Sequence, residues 1–235
     1  MSLGYIVIDG RSSQEFGVYT TDAGVYDRPE REIEKYEIPG QSGDLIIDKN
    51  RFKNIDVRYP GFIVDDFEKR YNDFFSYLLS LGRYFRLEDS FKPEEYRQAY
   101  FTAPLIPTNA DKKKGTFEIV VHAKPQRFLK EGDRPITIYS DATIKNPTLL
   151  PSKPLVRVYG TGSVVIAGIT ITILAAEGYT DFDCLTQMAY KDSMNCNSNI
   201  VLEDDKFWEL PVGEASISLG SRISRIELTP RWYII

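Results

Sequence analysis

The chain has 235 residues, of which 42% are hydrophobic and 27% charged, and its formal net charge is −5. A chain without a basic excess lacks the positive surface that binds nucleic acid, so we expect no nucleic-acid partner. No apolar run approaches the roughly 20 residues of a transmembrane helix, and the start of the chain lacks a basic segment followed by an apolar one, so we expect no membrane span and no secretory signal.

Early in the chain, strand signals alternate with charged and turn-forming segments. Residues 28–36 are charged and irregular in pattern. Residues 38–43 contain one proline and two glycines, which indicates a shaped loop. Residues 45–47 and 55–59 predict strands, and residues 48–54 predict a polar hairpin connection between them.

The only long helical pattern covers residues 65–82. Asp65 is placed to cap its N-terminus, and Glu68 completes a capping box three residues later. Apolar residues then recur at helical spacing, and Gly82 provides a C-terminal stop. The apolar face consists of Phe67, Tyr71, Phe74, Phe75 and Leu78. One such helix among many strands must bury its face on a sheet, so the first half of the chain is predicted to be α+β, with β-sheets and one long helix.

The polar stretch at residues 129–135, which contains glycine and proline, is the predicted domain boundary. It separates an α+β domain at residues 1–133 from an all-β domain at residues 134–235. Before the boundary, the apolar run at residues 115–123 is consistent with a strand buried on both faces. After it, short strands recur between glycine-containing turns, which is typical of an antiparallel sandwich. The last strand signal, residues 232–235, could close either domain.

Residues suited to catalysis or cofactor chemistry are scarce. His122 is the only histidine, and in an apolar strand it is more simply a packed residue than a catalytic one. Cys184 and Cys196 lack the spacing of a metal site; we expect two free thiols, and a disulfide between them stays open. The sequence contains no Walker loop, nucleophile elbow or dinucleotide fingerprint. We therefore expect no enzyme, no cofactor and no metal site.

Four aromatic residues of the second half are candidates for a sugar-stacking or partner surface: Tyr179, Tyr190, Phe207 and Trp208. Aromatic rings suit the apolar faces of sugars. The competing interpretation, which we prefer, is that Phe207 and Trp208 fix a loop to the core of the sandwich. A carbohydrate-binding module with an appended α+β domain is the alternative function, and a wall-degrading enzyme is a third.

Taken in order, short segments along nearly the whole chain resemble the distal tail protein (Dit) family of siphophages, the long-tailed non-contractile bacteriophages. In the first half they are the loop at residues 38–43, the aromatic helix, Leu87-Glu88-Asp89-Ser90, and the strand that ends at Lys124-Pro125. In the second half they are Asn146-Pro147, residues 154–160, residues 182–184, Ala189-Tyr190, residues 210–214 and residues 229–232. The resemblance rests on the order and spacing of these segments together.

The resemblance implies a structural virion protein at the tail tip of a phage or prophage, made and assembled in the cytoplasm of the bacterial host. In that family the N-terminal domain builds a homo-hexameric ring, and the C-terminal domain is a galectin-like sandwich. The ring joins the tail tube protein to the tail-tip or baseplate proteins and attaches receptor-binding proteins. The second half of this chain has no histidine, so the galectin sugar motif is missing there.

A ring that closes by rotation needs two different complementary patches on each subunit. Two charged runs are candidates for the ring interface: the acidic Glu30, Glu32 and Glu34, and the basic Lys49, Arg51 and Lys53. A solvated surface is the simpler interpretation of both runs. We expect the aromatic face of the helix to pack in the core and not in the ring contact.

Overall fold

The structure, a computed structural model, describes residues 3–22, 28–102 and 105–235. The chain divides into two compact units: Met1–Arg127 with Ile235 form the first, and Phe128–Ile234 form the second. The polar stretch expected as the boundary lies in the second unit. There the N–H of Leu129 donates to the carbonyl oxygen of Trp232 at 2.9 Å. Of the last strand signal, only Ile235 groups with the first unit.

The first unit contains one large antiparallel sheet, one helix and a separate two-stranded hairpin. Its strands are β1 (Ile6–Ile8), β2 (Arg11–Ser12), β3 (Tyr19–Thr20), β4 (Arg31–Glu37), β5 (Asp44–Phe52), β6 (Ile55–Ile63), β7 (Phe85–Asp89), β8 (Glu95–Tyr100), β9 (Pro107–Ala110) and β10 (Gly115–Leu129); its helix is α1 (Phe67–Ser80), and a 3-10 turn covers Ser13–Phe16. The sheet has the order β2-β1-β7-β8-β10-β6-β3, and β9 pairs with the start of β10.

The long pair of β6 and β10 turns one face to the core. Val57 lies opposite Val121 and Tyr59 opposite Ile119, and all four side chains are buried. On the other face of β10, Thr116 and Glu118 are exposed, while Val120 and His122 are half-buried. The expectation that this strand is buried on both faces is therefore wrong, because side chains alternate along a strand and only one of its faces packs in the core.

Helix α1 packs its aromatic face on the inner side of this sheet, as its periodicity predicted. Phe67, Phe74 and Leu78 are buried. The Phe74 ring lies 5.6 Å from that of Phe16 and 6.4 Å from that of Phe117, centroid to centroid. The helix thus completes the core of the first unit.

The ends of α1 differ from the prediction. The N-cap is Asp66, which has a left-handed backbone at φ 49°, and its side chain makes no capping hydrogen bond. Asp65 pairs with Arg70 at 3.2 Å, so its carboxylate is used in a surface ion pair instead of a capping box. The helix ends at Ser80, before Gly82 is reached.

Strands β4 and β5 pair only with each other among the described strands, and we call this hairpin, with its flanking charged residues 30–53, the arm. Residues 28–36 were expected to be irregular, but most of them form β4. Residues 48–52 were expected to be a connection, but they continue β5. The physical reason is that the two runs carry opposite charges, so antiparallel pairing sets each charge beside a counter-ion.

The loop at residues 38–43 is the turn of this hairpin. Gly40 and Gly43 have positive φ values of 82° and 91°, which side chains other than glycine rarely adopt. The prediction of a shaped loop is confirmed here.

The second unit consists of two antiparallel sheets that share one core. Its strands are β11 (Ile136–Ile138), β12 (Ala142–Asn146), β13 (Leu155–Gly160), β14 (Gly162–Ile166), β15 (Ile169–Ile173), β16 (Tyr179–Asp183), β17 (Met188–Lys191), β18 (Met194–Asn195), β19 (Ile200–Leu202), β20 (Gly213–Leu219), β21 (Ile223–Thr229) and β22 (Tyr233–Ile234). One sheet has the order β11-β21-β13-β16-β17-β18 and the other β12-β20-β14-β15-β19. Val156 of the first sheet and Ile166 of the second lie in the same buried cluster.

Candidate functional site

The six charged residues predicted as ring patches all lie on the arm and pair with one another inside the chain. The pairs are Glu34 with Lys49, Glu32 with Arg51 at 2.6 Å, and Glu30 with Lys53 at 3.2 Å. We call these three pairs the charge ladder. The sequence separated the two runs, and the antiparallel hairpin brings them side by side.

The charge ladder stabilises the arm only slightly. The hydrogen bond from Arg51 lowers the pKa of Glu32, and the hydrogen bond from Lys49 lowers the pKa of Glu34. Exposed ion pairs of this kind contribute little to stability, because water and salt screen the attraction. The ladder therefore fixes the register of the hairpin more than it adds stability. Contact of these residues with a neighbouring subunit stays a prediction.

Beyond the ladder, the arm exposes apolar side chains on both faces. Tyr36, Leu45 and Ile47 share one face, and Ile33 and Ile46 share the other. Each is between 37% and 58% exposed. A two-stranded hairpin without a covering layer is marginally stable in water, and a patch of exposed apolar residues marks an interaction surface. Sequence reasoning missed this surface because it took residues 45–47 as an ordinary strand.

Like charges face each other at the distal end of the arm. Glu37 of β4 lies directly opposite Asp44 of β5. Within the described part of the chain neither carboxylate forms an ion pair. Like charges at directly opposite positions of an antiparallel pair are destabilising.

An apolar groove of about 720 Å³ opens beside the ends of β6, β9 and β10. Pro60, Phe62 and Val64 line it, and Val64 is 61% exposed. Lys114 stands at its side, at the end of the Lys112-Lys113-Lys114 loop. The groove is lined by no arm residue, so the chain does not fill it with its own hairpin.

A polar cluster lies inside the first unit around a small cavity of about 20 Å³. Arg127 is buried and donates to Glu95 at 3.1 Å. An η nitrogen of Arg97 and the Nε of Arg127 find no hydrogen-bond partner among the residues that the structure describes. Burial lowers the pKa of Arg97 and raises the pKa of Tyr59, which lines the same cavity. The strand alternation that buries Ala99 and Ala123 also turns these two arginines inward, so the register could have revealed the cluster.

His122 is a packed cross-strand residue, as the sequence indicated. Its Nδ1 is within hydrogen-bond distance of the carboxylate of Asp56, which is its register partner on β6. Its ring stacks on Tyr100 with centroids 5.1 Å apart. This arrangement positions the imidazole on the outer face of the sheet.

The structure excludes Trp208 as a sugar-stacking residue. Its side chain is fully buried, its Nε1 donates to the carbonyl oxygen of Ile169 at 3.0 Å, and its ring lies 4.9 Å from that of Phe182. Phe207 is half-buried and packs against the same core. The assignment of Trp208 to a surface is wrong, and the competing interpretation as a core anchor describes it correctly.

Tyr179 and Tyr190 lie on the outer face of neighbouring strands, but cations occupy the space over the Tyr179 ring. The guanidinium of Arg157 lies 4.1 Å from the centre of that ring, and the ammonium of Lys191 lies 5.8 Å from it. A sugar would have to displace these charges in order to stack. The four aromatic residues therefore do not form one open platform.

Both cysteines are free thiols. Cys184 is buried, and burial raises its pKa to about 12. Across residues 3–22, 28–102 and 105–235, no three His, Cys, Asp or Glu side chains are grouped so that they could hold a metal ion. None of the helices in those same ranges combines the length and apolar character needed to span a bilayer.

No protein-family model and no curated protein matches the sequence. Solved structures do match it. One is the crystal structure of the SPP1 Dit (gp 19.1) protein, described as a paradigm of the hub adsorption apparatus in phages that infect Gram-positive bacteria. The similarity has a TM-score of 0.73 at 12% sequence identity and covers 100% of both chains. The chain therefore has the fold of this distal tail protein over its entire length.

Proposed function

We propose that this chain is a distal tail protein: a structural hub in the tail tip of a long-tailed phage or prophage. It forms a homo-hexameric ring that joins the tail tube to the tail-tip or baseplate proteins and attaches receptor-binding proteins. It catalyses no reaction and is assembled in the cytoplasm of the host.

The observation that carries this proposal is the full-length similarity in fold to SPP1 Dit. The similarity includes both units, so it is not the chance likeness of one common sheet. At 12% sequence identity the similarity supports a common fold, and the function is our inference from that fold.

The two units suit different parts of this role. The first unit offers two unlike surfaces, the arm and the groove, which is what a head-to-tail ring contact requires. The charge ladder would lie at that contact. The second unit, with its two antiparallel sheets, would be the galectin-like domain that faces outward and holds the receptor-binding proteins.

The carbohydrate-binding alternative loses its main support. It relied on an aromatic platform, and Trp208 is buried while the ring of Tyr179 is covered by Arg157.

Electron microscopy of the negatively stained protein tests the proposal. We expect six-fold rings, formed by the purified chain alone or after mixing with its tail tube and tail-tip proteins. A chain that stays monomeric in every one of these mixtures would contradict the hub function.

A further inference from the structure

We infer that the arm of one copy of this chain docks in the groove of the next copy. This inference rests on the proposed hub function and names its ring contact. The occupant of the groove is thus the apolar distal half of the arm, residues 33–47, from a second copy.

The first argument is the state of the arm in a single chain. Among the described residues its strands pair with no other strand, and Tyr36, Leu45 and Ile46 are each about half exposed. Burying aliphatic and aromatic side chains of this size stabilises a contact, because apolar surface is removed from water. A hairpin with apolar residues on both faces is suited to insertion into a groove, since both of its faces then become covered.

The second argument is that each chain carries the arm and the groove in the same unit and does not join them. Both surfaces are apolar, and no arm residue lines the groove. Two different complementary patches on one subunit produce a head-to-tail contact, which closes into a ring. Such a contact covers every arm and fills every groove, with none left over.

The third argument is charge. The tip of the arm sets Glu37 against Asp44 without a cation. Lys114, the last residue of the Lys112-Lys113-Lys114 loop, lines the groove, and no described carboxylate forms an ion pair with any of these three lysines. The one acid of that loop, Asp111, accepts hydrogen bonds from the backbone N–H groups of Lys113 and Lys114 at 2.7 and 2.8 Å. An arm that enters the groove brings the two unmatched carboxylates to the unmatched lysines.

Self-association of three variants tests the contact. Ile46→Asp places a charge on the arm, and Val64→Asp places one in the groove; both positions are exposed, so folding is retained. Leu79→Asp, on the exposed side of α1, is the matched control. We expect each of the first two variants to weaken self-association at least tenfold in sedimentation equilibrium. The control should associate like the unchanged chain.

Mixing the arm variant with the groove variant separates the possible geometries. The Ile46→Asp chain keeps an intact groove, and the Val64→Asp chain keeps an intact arm. A head-to-tail contact therefore predicts one-to-one dimers, which grow no further because their remaining arm and groove both carry a substitution. If arms pair with arms, the groove variant associates like the unchanged chain even on its own, and mixing it with the arm variant produces no additional dimers; the inference is then wrong.

A photo-crosslinker in place of Tyr36 identifies the neighbour directly. We expect crosslinks between chains that map to the lining of the groove, such as residues 60–64 and 114–118. If six-fold rings form without these crosslinks, the arm contact fails and the hub function stands. If neither rings nor crosslinks form, both fail.

Discussion

Glu37 and Asp44 lie directly opposite each other on the two strands of the arm, and neither carboxylate forms an ion pair with a described residue. Asp44→Lys turns this repulsion into attraction. In the isolated chain the arm should gain about 0.2–1 kcal/mol, and its amide hydrogens should exchange up to about fivefold more slowly. Hydrogen exchange followed by mass spectrometry of peptides from β4 and β5 measures this. In the same variant, self-association should weaken, because the lysine then meets the lysines of the groove.

Asp44→Asn is the control for that prediction. It removes the repulsion without adding a positive charge, so exchange should slow less and association should weaken less. Identical exchange in the unchanged chain and both variants would show that the facing carboxylates do not matter to the arm.

Variants of the Glu32–Arg51 pair separate its two possible roles, an ion pair within one arm and a contact with a neighbouring subunit. Arg51→Glu should leave the free energy of unfolding nearly unchanged, because the Arg51 side chain is exposed and solvent screens the ion pair. It should also weaken ring assembly. The swapped double variant, Glu32→Arg with Arg51→Glu, restores the pair within the chain. If Arg51 also contacts a neighbour, the swap recovers the arm but not the assembly. Full recovery of assembly would confine the pair to a role within one arm.

Some of the fold could be read from the sequence because local periodicity and burial agree. The aromatic face of α1 is an example: Phe67, Phe74 and Leu78 recur at helical spacing, and burial on a sheet is the only way to cover them. The exact ends of the helix could not be predicted from the sequence. Asp65 has an ion-pair partner in Arg70, and nothing in the local pattern reveals which of two adjacent aspartates precedes the first turn.

The arm and the groove could not be read in this way, since both depend on pairing between distant residues. A run such as Glu30 to Glu34 looks irregular until its counter-charges on β5 are placed beside it. The position of Trp208 likewise depends on distant residues: Phe182 of one sheet packs against its ring, and Ile169 of the other sheet accepts a hydrogen bond from its indole N–H.

Phe74→Asp should unfold the first unit. The side chain has no solvent-exposed surface and contacts Phe16 and Phe117. Loss of a buried phenylalanine costs about 3–5 kcal/mol, and an unpaired buried carboxylate adds to this, which is comparable with the whole stability of a domain. Circular dichroism during thermal unfolding measures the effect. Leu79→Asp, on the exposed side of the same helix, is the control and should be close to neutral. A folded and soluble Phe74→Asp chain would contradict the core role of this helix.

The Asp183–Arg231 pair should make the second unit sensitive to acid. Burial alone would raise the pKa of Asp183, but the hydrogen bonds and charge of Arg231 outweigh it and leave the pKa below its ordinary value. An aspartate whose pKa is lower in the folded chain than in the unfolded chain, where it is about 3.9, stabilises the fold at pH values above the unfolded pKa. This stabilisation is lost as the pH falls through the folded pKa. Arg231→Gln should therefore lower the free energy of unfolding at neutral pH by about 1 kcal/mol, because solvent screens part of the attraction.

The difference between Arg231→Gln and the unchanged chain should shrink as the pH falls below about 4, which urea unfolding at a series of pH values would show. Asp183→Asn is the matched control: it lacks the titrating carboxyl, so this part of its pH dependence should be absent. If the difference in free energy of unfolding between Arg231→Gln and the unchanged chain stayed constant down to pH 2, Arg231 would act through packing and not through the charge of Asp183.

The two thiols should differ strongly in reactivity. Burial raises the pKa of Cys184 to about 12, so near pH 8 only about one part in ten thousand is thiolate, which is the reactive form. Cys196 is partly exposed. With DTNB we expect one thiol per native chain to react quickly and the second to react only after denaturation. Cys196→Ser should remove the fast reaction and leave the slow one. If the native Cys196→Ser chain reacted at the fast rate, then Cys184 would be accessible, and its buried position in the core of the second unit would be wrong.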